Sequence, residues 1–411
     1  MTMMTARLSA MMFLQFFIWG GWFVTLGTFL ASNLGASGGQ IGMAFSTQSW
    51  GAIIAPFVIG LIADRFFNAE RILAVLHLVG AVLLFQLYRA PDFGTFYPYV
   101  LAYMMIYMPT LALVNSVAFR QMSDPALEFS RIRVWGTVGW IVAGLVISFV
   151  FAWDSQAMIA TGGLRNTFLM SAAASLLLGL YSFTLPRTAP LKAESGNGGL
   201  KQMLGLDALG LLKDRSYLVF FIASILICIP LAFYYQNANP FLAEIGVTNP
   251  TAKMAIGQVS EVLFMLLLPL FIQRFGIKIA LLVGMLAWAL RYLLFAYGNN
   301  GDLAFMLFTG IALHGICYDF FFVSGQIYTD AKASERFRSS AQGLITLATY
   351  GLGMLIGFWV AGQVTDHFAA TPGGHDWKHI WLFPAGFALA IFFCFCLAFK
   401  GREAVAVQTT V

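Results

Sequence analysis

Runs of about twenty consecutive apolar residues are long enough to carry a helix across the hydrocarbon core of a bilayer. Such runs recur along the whole of this 411-residue chain. They read as twelve spans, at about 7–31, 40–62, 71–89, 96–120, 131–152, 166–186, 216–243, 253–272, 277–297, 303–328, 337–364 and 377–399. Lipid offers the backbone no hydrogen bonds, so a chain built this way must be an all-α membrane protein. Only 10% of residues are charged, against about a quarter in soluble domains, which leaves no sizeable soluble domain. The first run, Leu8 to Leu30, follows Arg7 as a signal peptide would. It is too long and too rich in Trp for that role and reads as the first spanning helix.

A net charge of +5 could suggest an anionic partner, but the placement of the charges gives another reason for it. Arg65, Arg71, Arg187, Lys201, Arg274 and other Lys and Arg residues crowd one set of alternate loops. The opposite set holds only Arg89, Arg165, Lys253 and Lys378. That asymmetry predicts both termini in the cytoplasm. The partner expected is the lipid bilayer, with no nucleic acid, and the protein is expected to be a monomer. Cys228, Cys317, Cys394 and Cys396 all fall in apolar runs and are expected as buried free thiols.

The only long polar connection runs from Pro186 to Arg215. It predicts residues 1–190 as one six-helix bundle, 191–214 as a cytoplasmic linker, 215–400 as a second bundle and 401–411 as a tail. Leu200 to Lys213 reads as an amphipathic helix strapped along the interface.

Against this apolar background a few polar residues stand out. Glu261 lies near the middle of the eighth span, with Gln258 one turn earlier on the same face. An ionised carboxylate there costs a few kcal/mol, so such residues face a bundle interior or a wet cavity. Asp319, beside Tyr318 and a turn from His314, repeats the pattern in the tenth span. Arg133, Thr137 and Trp140 share one face of the fifth and suit a ligand with a polar edge and a flat ring. Each has a structural alternative: Arg133 could snorkel, as Arg131 is expected to, Glu261 could pair with Arg291, and Asp319 could be tied to local partners. The seventh span carries Tyr234-Tyr235-Gln236-Asn237-Ala238-Asn239-Pro240, where Pro240 is expected to break the helix. Ala232, Tyr235 and Asn239 share a face expected to look into a cavity. Gln15 and Asn115 are expected to bond between helices, and the glycines of the eleventh span to allow close packing. No metal-binding HExxH, phosphate-binding P-loop, CxxC pair or nucleophile elbow is present. No enzyme activity, cofactor or metal is therefore expected.

Several stretches carry a narrower likeness: Phe13-Leu14-Gln15-Phe16-Phe17-Ile18-Trp19-Gly20, Tyr107-Met108-Pro109-Thr110, Arg131-Ile132-Arg133-Val134-Trp135-Gly136-Thr137, Gln258-Val259-Ser260-Glu261 and Ser340-Ala341-Gln342-Gly343. Six plus six spans, a cytoplasmic linker and the Asp64-Arg65 to Arg71 loop resemble the major facilitator superfamily. The stretches themselves resemble its bacterial nucleoside:proton symporters, through nearly all the chain. The resemblance implies the superfamily fold, twelve transmembrane helices in two six-helix bundles, with a substrate site near the midplane. It also implies nucleoside contacts at Arg133, Thr137, Trp140, Gln258, Glu261, Tyr318 and Asp319. On the seventh helix the chain departs from the better-known permease, with Ala232 and Tyr235 where that permease has amides. A neutral nucleoside gains nothing from membrane potential, so coupling to protons needs an acid, and Glu261 and Asp319 are the candidates. The resulting expectation is proton-coupled nucleoside uptake at the bacterial inner membrane. The alternatives are a sugar or drug symporter on the same fold and a receptor that binds nucleosides without moving them.

Overall fold

The computed structural model describes residues 3–58, 67–122, 125–189, 206–334, 338–370 and 374–400. Ten stretches among them are long and apolar enough to cross a membrane. One, Pro250–Tyr297, is two helices meeting at Gly276, where φ is 79° and ψ 166°, a conformation open to a residue without a Cβ. Gly38–Val58 adds a helix made more polar by Gln40, Ser46, Thr47, Gln48 and Ser49. The twelve expected helices are therefore present. They are α1 (Met3–Leu34), α2 (Gly38–Val58), α3 (Ala69–Arg89), α4 (Phe93–Phe119), α5 (Glu128–Val150) and α6 (Gly163–Ser182). The second six are α7 (Arg215–Glu244), α8 (250–275), α9 (277–297), α10 (Ala304–Lys332), α11 (Ser340–His367) and α12 (Trp377–Ala398). A short hairpin, β1 (Ala369–Ala370) with β2 (Gly374–His375), lies between α11 and α12. Asp64 and Arg65 of the inner-loop motif lie outside the described residues, as does the tail.

The chain forms two compact units, Met1–Asn197 with Gln236–Ala255, and Gly198–Tyr235 with Ile256–Val411. In the first, α1 packs mainly on α5 and α6, and α3 on α4 and α6. A buried polar knot ties four of its helices. Gln15 donates to Thr110 Oγ1 at 2.7 Å and its other amide atom lies 2.8 Å from His77 Nε2. The far side of the imidazole meets Ser175 at 3.1 Å. Gln15 is thus the interhelical bond expected of it, and every atom of its amide group has a partner, as a dry interior requires.

The same unit takes in the end of α7, and there an expectation fails. Pro240 does not break the helix, which runs unbroken to Glu244. Proline removes one N–H and so releases the carbonyl four residues back, that of Gln236. Gly27 of α1 lies flush against that carbonyl, with only 2.6 Å to where a Cβ would stand. The amides nearby are answered too. Asn239 accepts from the Thr28 hydroxyl at 2.6 Å, and Gln236 donates to the Gly38 carbonyl at 3.3 Å. The start of α8 is capped within this unit as well. Pro250 occupies the first turn, where no N–H is needed. The next two N–H groups, of Thr251 and Ala252, donate to Asp154 Oδ2 and Ser148 Oγ, both at 3.0 Å.

In the second unit the linker also departs from expectation. Leu206–Lys213 is a 3-10 helix, and Ala208 is buried against Ala333, Ala341 and Leu344. One side of it docks on protein, where small Ala residues on both sides let the chains approach, while Leu209 on another side stays exposed. Residues 200–205 lie outside the described ones. Cys228 and Cys317 are buried as expected, but Cys394 and Cys396 are exposed on the outer surface of α12. A thiol is apolar enough to face lipid, so an apolar run does not tell the two sides apart.

Candidate functional site

In the first unit the arginines of α5 separate as expected. Arg131 is exposed, whereas Arg133 is half-buried with its guanidinium 4.1 Å from the centre of the Phe16 ring. That cation–π contact holds the planar fork against α1. Thr137 and Trp140 follow on the same face, both half-buried. The Trp140 ring meets Trp19 edge-on at 5.6 Å, and this fixes its plane. The face therefore presents a cation, a hydroxyl and an indole in rigid array.

In the second unit Gln258 and Glu261 are half-buried on α8. The contact between α8 and α10 sets their position. Gly315 lies so close to Ser260 that a Cβ would stand 2.5 Å from backbone carbon and oxygen. The Ser260 hydroxyl donates to the Ala312 carbonyl. This close approach places His314 Nε2 3.7 Å from Glu261 Oε2. The other ring nitrogen, Nδ1, lies 3.1 Å from Arg291 Nη1 on α9. Arg291 is fully buried, and its guanidinium stacks 3.5 Å above the Tyr234 ring. The direct Glu261–Arg291 pair weighed from sequence is thus replaced by a contact through an imidazole.

Tyr318 and Asp319 sit where α10 changes to a π-helical turn, Asp319–Val323. A second such turn, Leu347–Gly353, interrupts α11. These turns carry one extra residue, rotate the side chains that follow, and favour functional sites. Here they bring the Tyr318 and Tyr350 hydroxyls into hydrogen-bonding contact. Asp319 is fully buried, and among the described residues neither of its oxygens has a hydrogen-bond partner. A buried carboxyl without partners is costly unless it binds a proton or a ligand. Tyr235 is half-buried, beside Tyr234 and within electrostatic reach of Glu261, Tyr350 and Arg291.

The face proposed for Ala232, Tyr235 and Asn239 does not hold together. Ala232 is fully buried against α11, where a Cβ on Gly357 would stand 2.7 Å from its own. Asn239 is consumed by Thr28 and Thr251. Only Tyr235 belongs with the cluster. Sequence reasoning missed Tyr350 and gave Arg291 and His314 minor parts. A charge inside Leu286-Ala287-Trp288-Ala289-Leu290-Arg291-Tyr292-Leu293-Leu294 deserved the weight given to Glu261.

The model of the nucleoside H+ symporter family matches residues 1–404. The chain belongs to that family. It is 43% identical over 406 residues to "Putative nucleoside transporter YegT" of Escherichia coli K12, covering 97% of this chain and 94% of that protein. It is 36% identical over 411 residues to the xanthosine permease of the same organism, covering 96% and 95%. A crystal structure of the nucleoside transporter NupG superposes with a TM-score of 0.87 at 31% identity, covering 97% of this chain and all of that one. The fold of this symporter is accordingly that of the major facilitator superfamily, and it is a multi-pass membrane transporter, not an enzyme.

Proposed function

We propose that the protein carries nucleosides inward across the bacterial inner membrane together with protons, by alternating access, as a monomer with both termini in the cytoplasm. The observation that carries this reading is a pair of acids, Glu261 and Asp319, within one polar cluster of a nucleoside H+ symporter family member. Base and ribose chemistry match the side chains on offer. Trp140 and Tyr318 give flat surfaces, and stacking on an aromatic ring is worth about 1–3 kcal/mol per base in nucleic-acid complexes. Gln258 and Glu261 suit ribose hydroxyls, while Arg133, Thr137 and Tyr235 supply further polar edges. Glu261 and Asp319 are close enough to influence one another, so their proton is assigned to the pair and to neither alone. The Lys and Arg asymmetry between alternate loops supports the orientation.

The test is uptake of labelled uridine by cells lacking other nucleoside carriers, with unlabelled competitors. Nucleosides should compete and mono- or disaccharides should not. Competition by sugars alone would replace this reading with a sugar symporter.

A further inference from the structure

Charge does not balance locally in the second unit. Arg291 is fully buried, yet among the described residues no carboxylate lies within ion-pair distance of it. It is met by the faces of Tyr234 at 3.5 Å, Trp288 at 5.5 Å and Phe295 at 5.7 Å, and by His314 Nδ1 at 3.1 Å. Cys317 also meets the guanidinium, and neither its thiol nor the aromatic faces neutralises the cation, which is left uncompensated at its contact with His314.

That contact fixes the state of the imidazole. A guanidinium only donates, so His314 Nδ1 must accept and hold a lone pair. The ring is then neutral, with its single N–H on Nε2, 3.7 Å from Glu261 Oε2. A proton on Nδ1 would break the contact with Arg291 and set two cations side by side. His314 therefore cannot serve as the proton carrier while Arg291 is in place. At 3.7 Å the N–H reaches Glu261 electrostatically without closing a hydrogen bond.

We propose that His314 is a positioning residue that transmits the Arg291 charge to Glu261 as a neutral imidazole, so that Glu261 gives up its proton readily on the side where protons are scarce. The proposal rests on the reading of Glu261 as a proton-coupling group. The other groups within electrostatic reach of Glu261 include Tyr235 on α7 and Tyr318 and Asp319 on α10. Of these Asp319 opposes the effect when ionised, whereas His314 with Arg291 behind it brings positive charge of the second unit toward Glu261.

The experiment measures uridine uptake into proteoliposomes over a range of external pH, for the wild type and for His314→Leu, His314→Gln and Arg291→Leu. Glutamine retains an N–H near the Nε2 position, and leucine retains only bulk. In His314→Leu and Arg291→Leu, uptake should persist to a pH higher by about one unit, the low end of what a nearby opposite charge contributes. That corresponds to a tenfold change in proton affinity. His314→Gln should follow the wild-type profile, and all three variants should still exchange labelled for unlabelled uridine. If Arg291→Leu does not fold, the two His314 variants decide the matter. A wild-type profile shared by both His314 variants, at whatever rate, overturns the proposal alone. A wild type with no pH dependence overturns proton coupling and the proposal with it.

Discussion

Replacing Gly315 by alanine drives a methyl group into the backbone of α8. Its Cβ would stand 2.5 Å from the carbonyl carbon and oxygen of Ser260 and 2.6 Å from its Oγ. Ordinary contact begins near 3.4 Å, so α8 and α10 must part by about 1 Å. Two of the three atoms are backbone and cannot rotate away. Overpacking of this kind costs about 1–3 kcal/mol, and stretching the Ser260–Ala312 hydrogen bond adds about 0.5–1.5 kcal/mol. Alanine returns about 0.5–1 kcal/mol as a better helix former, leaving a net loss of about 0.5–4 kcal/mol. The same shift moves Glu261 away from His314, so uptake should fall further than stability alone explains. Gly386→Ala on α12 is the control, since nothing lies within 4 Å of its Cβ position and it should be neutral or slightly stabilising. The assay is thermal unfolding in detergent beside initial-rate uptake at matched expression. Unchanged melting and uptake in Gly315→Ala would refute the claim that this contact sets the site.

Three shorter predictions follow from the same geometry. Arg133→Lys should weaken nucleoside binding severalfold, since a point charge reproduces neither the planar fork nor its stacking on Phe16; near-normal affinity by thermal shift would mean that Arg133 only anchors α5. Asp154→Ala strips a charged acceptor from the first turn of α8 and should lower stability by about 1.5–3 kcal/mol, and an unchanged melting temperature would contradict that capping role. Tyr235→Ala should raise the apparent KM for nucleosides severalfold and Tyr235→Phe less, as initial rates would show; unchanged kinetics would remove Tyr235 from the site.

Much of this was legible in the sequence, and the boundary has a physical cause. Twelve helices could be read because each apolar run reports its own solvent, whatever its neighbours are. Glu261 and Asp319 stood out for the same reason, as charges in the wrong medium. Partnership between helices is not written in any one of them. Nothing in Tyr350 announces that a π-helical turn will carry it to Tyr318, and nothing in His314 says that Arg291 lies behind it. Periodicity misled on α7, where Ala232, Tyr235 and Asn239 share a face in sequence but meet α11, the cluster and α1 in turn. Pro240 misled because a rule about lost hydrogen bonds ignores a neighbour such as Gly27, which leaves room for the released carbonyl.

The most direct test of proton-coupled transport uses purified protein in proteoliposomes with an acidic exterior and a neutral lumen. Labelled uridine should rise inside above its external concentration, collapse when a protonophore is added, and fail to rise in Glu261→Gln, which keeps the shape but loses the charge. Uptake that only equilibrates in the wild type, or equal accumulation with and without the pH gradient, would contradict the account.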